Sequence, residues 1–151
     1  MKKKKSLLIR SALWFSVALL MSCEVKPQEI HYGVDACSFC KMTIVDAQHA
    51  AQIVTTKGKS FKYDAIECML NHMKEWDQAP VKFHLVADYD QPKVLVDATQ
   101  AHYLISEAIP SPMGAFLTAF EGQHNRELIL EKDGGEAHSW ESILRKFNLT
   151  K

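Results

Sequence analysis

The sequence of 151 residues lacks several features that would indicate common functions. After its N-terminal segment it has no hydrophobic run long enough to span a bilayer. Beyond that segment it has no cluster of lysine and arginine that could follow a phosphate backbone, so nucleic acid is not expected as a partner. It also shows no phosphate-binding loop, no carboxylate pair that suggests catalysis and no nucleophile beside a base.

The N-terminal segment predicts a lipoprotein signal peptide over residues 1–22. Residues 2–5 are all lysine, and residues 13–21 form an apolar stretch that is short for a transmembrane helix. The stretch leads into Leu-Met-Ser-Cys, which resembles the bacterial lipobox, so Cys23 is the predicted site of lipid attachment. A single membrane anchor, or ordinary cleavage that leaves Cys23 as a free thiol, is the alternative.

We predict that residues 23–36 form a lipidated tether and that residues 37–151 form one compact domain. Five of the 18 basic residues and none of the 18 acidic residues lie in the signal, so the mature chain has 13 basic against 18 acidic residues. With Cys23 lipidated, three thiols remain, and three cannot all be paired in disulfides within one chain. The predicted location is the periplasmic side of the cell envelope, attached to a membrane through the lipid.

The first part of the domain has a β-β-α pattern. Stretches of alternating polarity at residues 51–56 and 60–63 predict a hairpin that turns at Gly58. Asp64 then resembles a helix N-cap, and Glu67 three residues later completes a capping box. Apolar residues at helical spacing follow until a proline ends the segment.

Further strands, an irregular loop and a closing helix are predicted downstream. Two prolines and a glycine exclude regular pairing at residues 109–114, and Ser139 is expected to cap the last helix. The whole pattern predicts a small α+β fold with a single domain. Strands are predicted at 30–33, 81–89, 93–97 and 102–105, an apolar segment at 115–120, a helical turn or strand at 126–132, and the last helix at 140–147.

The sulfur-containing residues carry the chemistry. Cys37 and Cys40 have C-x-x-C spacing, and Met42 follows two residues later, so on an extended strand the sulfurs of Cys40 and Met42 would face one side. Cys68 supplies a third thiol. Met113 lies in the proline-containing loop, where burial in the core is less expected than on a helix. Thiolates and thioethers are soft ligands, which together suit copper(I). These five residues are the candidate metal ligands.

Three other interpretations of the thiols remain open. A disulfide between Cys37 and Cys40 is compatible with export. Cys68 and His72 lie four residues apart on the predicted helix, so with the first two cysteines they could form a Cys₃His zinc site. A thiol oxidoreductase is less favoured, because the residues after the C-x-x-C motif are β-branched and do not resemble the start of a helix.

Several motifs in this order resemble the NosL family, the nitrous oxide reductase accessory lipoproteins. They are C-x-x-C-x-M at residues 37–42, F-x-Y-D at 61–64 and P-M-G-A-F at 112–116. The resemblance implies a periplasmic copper(I) chaperone with an α+β fold related to organomercurial lyase. It implies thioether ligands at Met42 and Met113 and thiol ligands from the first motif. The partners that it implies are nitrous oxide reductase and the ABC-type membrane complex of its maturation machinery.

We therefore expect a chaperone without enzymatic activity that passes copper(I) to an acceptor by exchange of ligands. Two alternatives belong to other classes. One is an enzyme, either a periplasmic thiol oxidoreductase or a lyase acting on organomercury-like substrates. The other is a lipoprotein with a structural zinc ion. The preference for copper(I) or zinc and any turnover of thiol or alkylmercury substrates would distinguish them.

Overall fold

Two antiparallel sheets and three helices make up the fold over residues 24–150, the part of the chain that this computed structural model describes. The strands are β1 (Ala51–Thr55), β2 (Ser60–Tyr63), β3 (Val81–Asp88), β4 (Gln91–Asp97), β5 (His102–Ile105), β6 (Leu117–Phe120) and β7 (Glu136–His138). The helices are α1 (Ile66–Lys74), α2 (Gln123–Asp133) and α3 (Trp140–Lys146). The strand order is β2-β1-β3-β4 in the first sheet and β6-β5-β7 in the second. This is the α+β class that the sequence predicted.

The predicted hairpin forms around the most buried strand. All five residues of β1 are buried, and Ile53 in its middle pairs with Phe61 of β2 and with His84 of β3. Gly58 has a φ of 80° at the turn, a conformation that glycine adopts without steric cost. Because β1 is hydrogen-bonded along both edges and covered by other residues, it is the rigid base of the first sheet.

Helix α1 forms where it was predicted but begins without the predicted capping box. Its N-cap is Ala65, whose side chain makes no cap hydrogen bond. The N–H of Val45 donates to Asp64 Oδ1 at 3.1 Å, and the side chain of Glu67 is turned into the protein, where it is buried. The capping-box prediction was wrong because both carboxylates have partners that are distant in sequence, and these partners replace the local cap.

The core lies between the sheets and the helices. Ile66, Met69 and Leu70 of α1 are fully buried, as their helical spacing predicted. Trp140 and Ile143 of α3 belong to the same cluster of buried side chains. The helix that carries Cys68 is therefore fixed by apolar packing along one face.

The second half of the chain follows the prediction with one addition. The three strands predicted after residue 80 form as β3, β4 and β5, and the segment predicted as a helical turn or strand is helix α2. Strand β7 was not predicted, because its sequence Glu-Ala-His has no apolar alternation and is mostly exposed. It forms by pairing with β5, which is a contact between distant segments.

The strand predicted at residues 30–33 was wrong. The N–H groups of Val34 and Asp35 both donate to the carbonyl of His31, which closes a turn. The N–H of His31 in turn donates to Asp35 Oδ2 at 2.8 Å. An aspartate that bonds to nearby backbone groups favours a turn over a strand.

The segment before the first sheet packs against β1. The N–H of Gln28 donates to Gln52 Oε1 at 3.0 Å, and Gln52 Nε2 donates to the Gln28 carbonyl at 2.6 Å. The side chain of Ile30 is buried.

The signal at residues 1–22 and the lipid site at Cys23 lie outside the described residues and stay predictions, as does the extent of the tether. None of the helices between residues 24 and 150 has the length and apolar character of a membrane span.

The predicted cap of the last helix is confirmed and allows a stability prediction. The hydroxyl of Ser139 accepts a hydrogen bond from the N–H of Ser142 at 3.3 Å. We expect Ser139→Ala to lower the free energy of unfolding by about 1 kcal/mol, because one N–H at the start of α3 loses its partner. Urea unfolding checks this. Ser139→Thr keeps both the acceptor for Ser142 and the donor to Glu141, so it should unfold nearly like the unaltered protein. Equal stability of the alanine variant would contradict the prediction.

Candidate metal centre

The three thiols predicted as ligands come together in the structure. The Sγ atoms of Cys37, Cys40 and Cys68 all lie within 4.8 Å of one another, and all three cysteines are free. Cys37 is only 1% exposed and Cys68 is fully buried, whereas Cys40 is partly exposed. The disulfide considered for Cys37 and Cys40 is not formed. The site is therefore a buried group of three reduced thiols with one sulfur near the surface.

The first two thiols are held by a tight turn. The N–H of Cys37 donates to the carbonyl of Met42 at 2.8 Å, and the N–H of Lys41 donates to the carbonyl of Cys37 at 3.1 Å. Lys41 has a φ of 67°, in the left-handed region, which reverses the chain directly after Cys40. This compact turn directs the two cysteine side chains of the motif to the same place.

The turn is attached to the hairpin that leads into α1. The N–H of Ser38 donates to the carbonyl of Lys62 in β2 at 2.7 Å, and the N–H of Lys62 donates to Ser38 Oγ at 3.1 Å. Helix α1 begins three residues after β2 ends, and Cys68 lies in its first turn. This short connection brings Cys68 next to the pair, although about 30 residues separate them in sequence.

Hydrogen bonds to the Cys37 sulfur stabilise its charged form. The thiol of Cys68 and the backbone N–H groups of Asp64, Cys40 and Phe39 donate to this sulfur. Together they lower the pKa of Cys37 to about 4, although burial acts in the opposite direction. Cys37 is therefore a thiolate at neutral pH, before any metal binds.

The other two thiols keep their protons. The pKa of Cys68 is raised, first because its proton is shared in the hydrogen bond to Cys37 and further because the sulfur is buried. Burial also raises the pKa of Cys40. The metal-free site at neutral pH therefore contains one thiolate and two thiols. A metal ion that binds all three sulfurs as thiolates must displace two protons.

His72 does not complete a Cys₃His set. Its Nδ1 lies 2.8 Å from the hydroxyl of Tyr63, and its ring packs among aromatic side chains that include Phe61 and Trp76. Within residues 24–150, no histidine, carboxylate or further cysteine joins the group of three sulfurs. The sequence placed His72 on the helix that carries Cys68. Hydrogen bonding to Tyr63 and aromatic packing hold its ring, so its nitrogens do not join the three sulfurs.

The two methionines predicted as ligands are at the surface. Met42 is 59% exposed and Met113 is 40% exposed, whereas Met69 is fully buried in the core as predicted. The extended geometry expected between Cys40 and Met42 was wrong, because the left-handed Lys41 lies between them. Met42 is nevertheless joined to the site through the turn, and the ligand roles of both methionines stay predictions.

Two residues beside the site make interactions that the pattern of residues did not predict. Glu67 was predicted as a cap but is buried beside Cys68, where it accepts a hydrogen bond from Ser111 Oγ. The backbone N–H of Asp64 donates to the Cys37 sulfur. Neither interaction follows from local spacing, because each joins segments that are far apart in sequence.

The fold and the site define a class of protein: a small α+β domain with three clustered thiols, suited to a soft metal ion. A family model described as NosL matches residues 27–147, and the chain belongs to the NosL family. The predicted family resemblance is thus confirmed. The fold is similar to the crystal structure of the copper chaperone NosL from Shewanella denitrificans, with a TM-score of 0.67 and 18% identity. That match covers 78% of this chain and 95% of the other. No curated protein sequence matches the chain.

Proposed function

We propose that this protein is a copper(I) chaperone that holds its ion on Cys37, Cys40 and Cys68. The observation that carries the proposal is the group of three sulfurs within 4.8 Å, which no fourth histidine, cysteine or carboxylate within residues 24–150 joins. Copper(I) is a soft ion that thiolate and thioether ligands select. A structural zinc ion takes four ligands in a tetrahedron, so the same site suits zinc poorly.

Family membership supports the same function. The chain matches the NosL family over most of its length, and the solved structure with a similar fold is described as a copper chaperone. The protein acts as a carrier and not as an enzyme. A thiol oxidoreductase would need an accessible thiolate, but Cys37, the thiol with the lowered pKa, is almost completely buried. The lyase alternative would use the same three thiols, and turnover of an alkylmercury substrate would distinguish it.

The burial of the sulfurs suggests how the ion is exchanged. Cys40 is the most accessible of the three thiols, and Met42 follows it at the surface. A sulfur of an acceptor protein can reach the ion from this side and replace one ligand at a time. Cys37 and Cys68 hold the ion from the buried side until transfer is complete. Met42 and Met113 supply thioether ligands at the surface, where the ion enters and leaves.

The location and the partners belong to the proposal as well. Lipid on Cys23 attaches the domain to a membrane on the periplasmic side. The acceptors are the ABC-type maturation complex and nitrous oxide reductase, for which the chaperone supplies copper. The support for these partners is membership of the NosL family.

Metal titration of the full chain in detergent tests the function. The protein is reduced, kept free of oxygen and titrated with copper(I) against a competing chelator, with zinc in a parallel series. We expect stoichiometric copper(I) binding that excess zinc does not displace. Preference for zinc, or no binding of either ion by the reduced protein, would refute the proposal.

The exposed methionines give a separate prediction. We expect the double variant Met42→Leu with Met113→Leu to bind copper(I) at least about 10-fold more weakly, because two soft ligands near the exchange side are lost. Both side chains are exposed, so the free energy of unfolding without metal should change little. Leu128→Ala, which changes an exposed apolar residue on α2, is the matched control. Copper(I) affinity equal to that of the unaltered protein would exclude both methionines as ligands.

A further inference from the structure

A buried hydrogen bond joins helix α1, which carries Cys68, to the loop that carries Met113. The hydroxyl of Ser111 donates to Glu67 Oε1. Glu67 is 2% exposed and Ser111 is 8% exposed, so water does not screen this contact. Glu67 directly precedes Cys68 in α1, and Ser111 lies two residues before Met113. One side-chain contact therefore connects the helical turn that carries Cys68 with the loop of a candidate thioether.

The carboxylate of Glu67 is an unusual choice for this position. Its second oxygen, Oε2, is buried and has no hydrogen-bond partner among the described residues. Burying a carboxylate with an unsatisfied oxygen disfavours folding, and an amide or an apolar side chain would avoid that cost. Stability alone therefore does not explain Glu67, which directly precedes the metal-site residue Cys68.

Two buried side chains, Ile109 and Ser111, anchor the start of the loop. Within residues 110–114 only Ser111 is buried, and prolines with a restricted φ stand on both sides of it. The N–H of Gly114 donates to the carbonyl of Ser111 at 3.0 Å, and Gly114 has a φ of 75°. This tight turn contains Met113. Ser111 is therefore the buried side chain nearest to Met113 in sequence, and the position of the methionine depends in part on where Ser111 is held.

We infer that Glu67 is a positioning residue that holds the Met113 loop beside the thiol site through Ser111. The inference rests on the proposed copper(I) function, and it adds a residue that is not a ligand. Glu67 sets the loop from the same helical turn that carries Cys68, so the buried thiol and the surface thioether are placed by one rigid element. Loss of the hydrogen bond leaves the loop free to move, and the Met113 sulfur then spends less time near the ion.

A double-mutant cycle in copper(I) affinity tests this inference with the full chain in detergent. The variants are Ser111→Ala, Met113→Leu and the two combined. We expect Ser111→Ala to weaken copper(I) binding about 10-fold, as loss of an outer-shell partner does at other metal sites. When Met113 is already leucine, Ser111→Ala should lower the copper(I) affinity almost no further. A merely structural role for Ser111 would weaken binding equally in both backgrounds.

Three further variants separate positioning from damage to the fold. Glu67→Gln keeps an oxygen that can accept from Ser111, so its affinity should stay within about twofold of the unaltered protein. Glu67→Ala removes the acceptor and should weaken copper(I) binding as much as Ser111→Ala does. Ser139→Ala destabilises the fold at α3, and its affinity should not change. Additive effects of Ser111→Ala and Met113→Leu would overturn the inference.

Failure of the inference differs from failure of the proposed function. If the unaltered protein does not bind copper(I), the chaperone function is wrong and there is no affinity to compare between the variants. If it binds and Met113→Leu has no effect, Met113 is not a ligand and the positioning role is refuted while the three-thiol site stands. Only a loss of affinity in both single variants, without further loss in the combined variant, supports the role of Glu67.

Discussion

Replacing Cys68 with serine is expected to weaken copper(I) binding by more than about 100-fold. Loss of a partner in the outer shell of a metal site costs about 10-fold to 100-fold in affinity, and loss of a ligand should cost more. Cys68 is fully buried within 4.8 Å of the other two sulfurs, so no solvent-exposed group can take its place. Serine keeps the hydrogen bond to Cys37 but offers a hard oxygen that copper(I) binds poorly.

Competition with a copper(I) chelator under anaerobic conditions measures this effect. The matched control is Met69→Leu, which changes the next residue of the same helix, also fully buried, without removing a thiol. Its copper(I) affinity should equal that of the unaltered protein. Unfolding of the metal-free variants shows whether Cys68→Ser still folds. If the serine variant folds and binds as tightly as the unaltered protein, Cys68 is not a ligand and the site contains only the C-x-x-C pair.

The affinity for copper(I) is expected to fall by about 100-fold for each unit by which the pH decreases, between about pH 5 and pH 8. The sign follows from the protons that the metal-free site holds. The pKa values of Cys40 and Cys68 are raised, so both thiols are protonated throughout this range and both lose their protons when copper(I) binds. Cys37 has a pKa lowered to about 4, so it contributes no proton. Lower pH therefore favours the metal-free form.

Titrations at several pH values measure the number of protons released, from the slope of the logarithm of affinity against pH. Three ordinary thiols would give a slope near three over this range, because each would be protonated. The structure predicts a slope near two, because the thiol of Cys68 and three backbone N–H groups keep Cys37 ionised. Cys40→Ser removes one of the two protons, and its slope should be close to one. A slope that does not depend on Cys40 would contradict the assignment.

Much of the fold could be predicted because its signals are local. The alternation at 51–56 and 60–63 produced the hairpin, and the apolar spacing from Ile66 to Leu70 produced the buried face of α1. Ser139 caps α3 as expected, since a serine before a helix acts through the backbone of the next three residues. These predictions succeeded where neighbours in sequence are also partners in space.

The predictions failed where a side chain has a distant partner. Asp64 and Glu67 have the spacing of a capping box, yet one accepts from Val45 and the other from Ser111. The pairing of Cys40 with Met42 assumed an extended strand, and the left-handed Lys41 breaks it. Local propensity is weak compared with the burial and hydrogen bonding that tertiary contacts provide.

The sequence by itself determined the fold class, most of the elements, the family and the three candidate thiols, because these follow from composition, periodicity and ordered motifs. Only the tertiary structure decided that Cys68 joins the C-x-x-C pair and that His72 turns to Tyr63 instead. It also decided which thiol is ionised, since the donors around Cys37 come from two segments of the chain that are distant in sequence. The physical reason is the same in each case: hydrogen bonds and burial depend on distances in space, which spacing along the chain does not give.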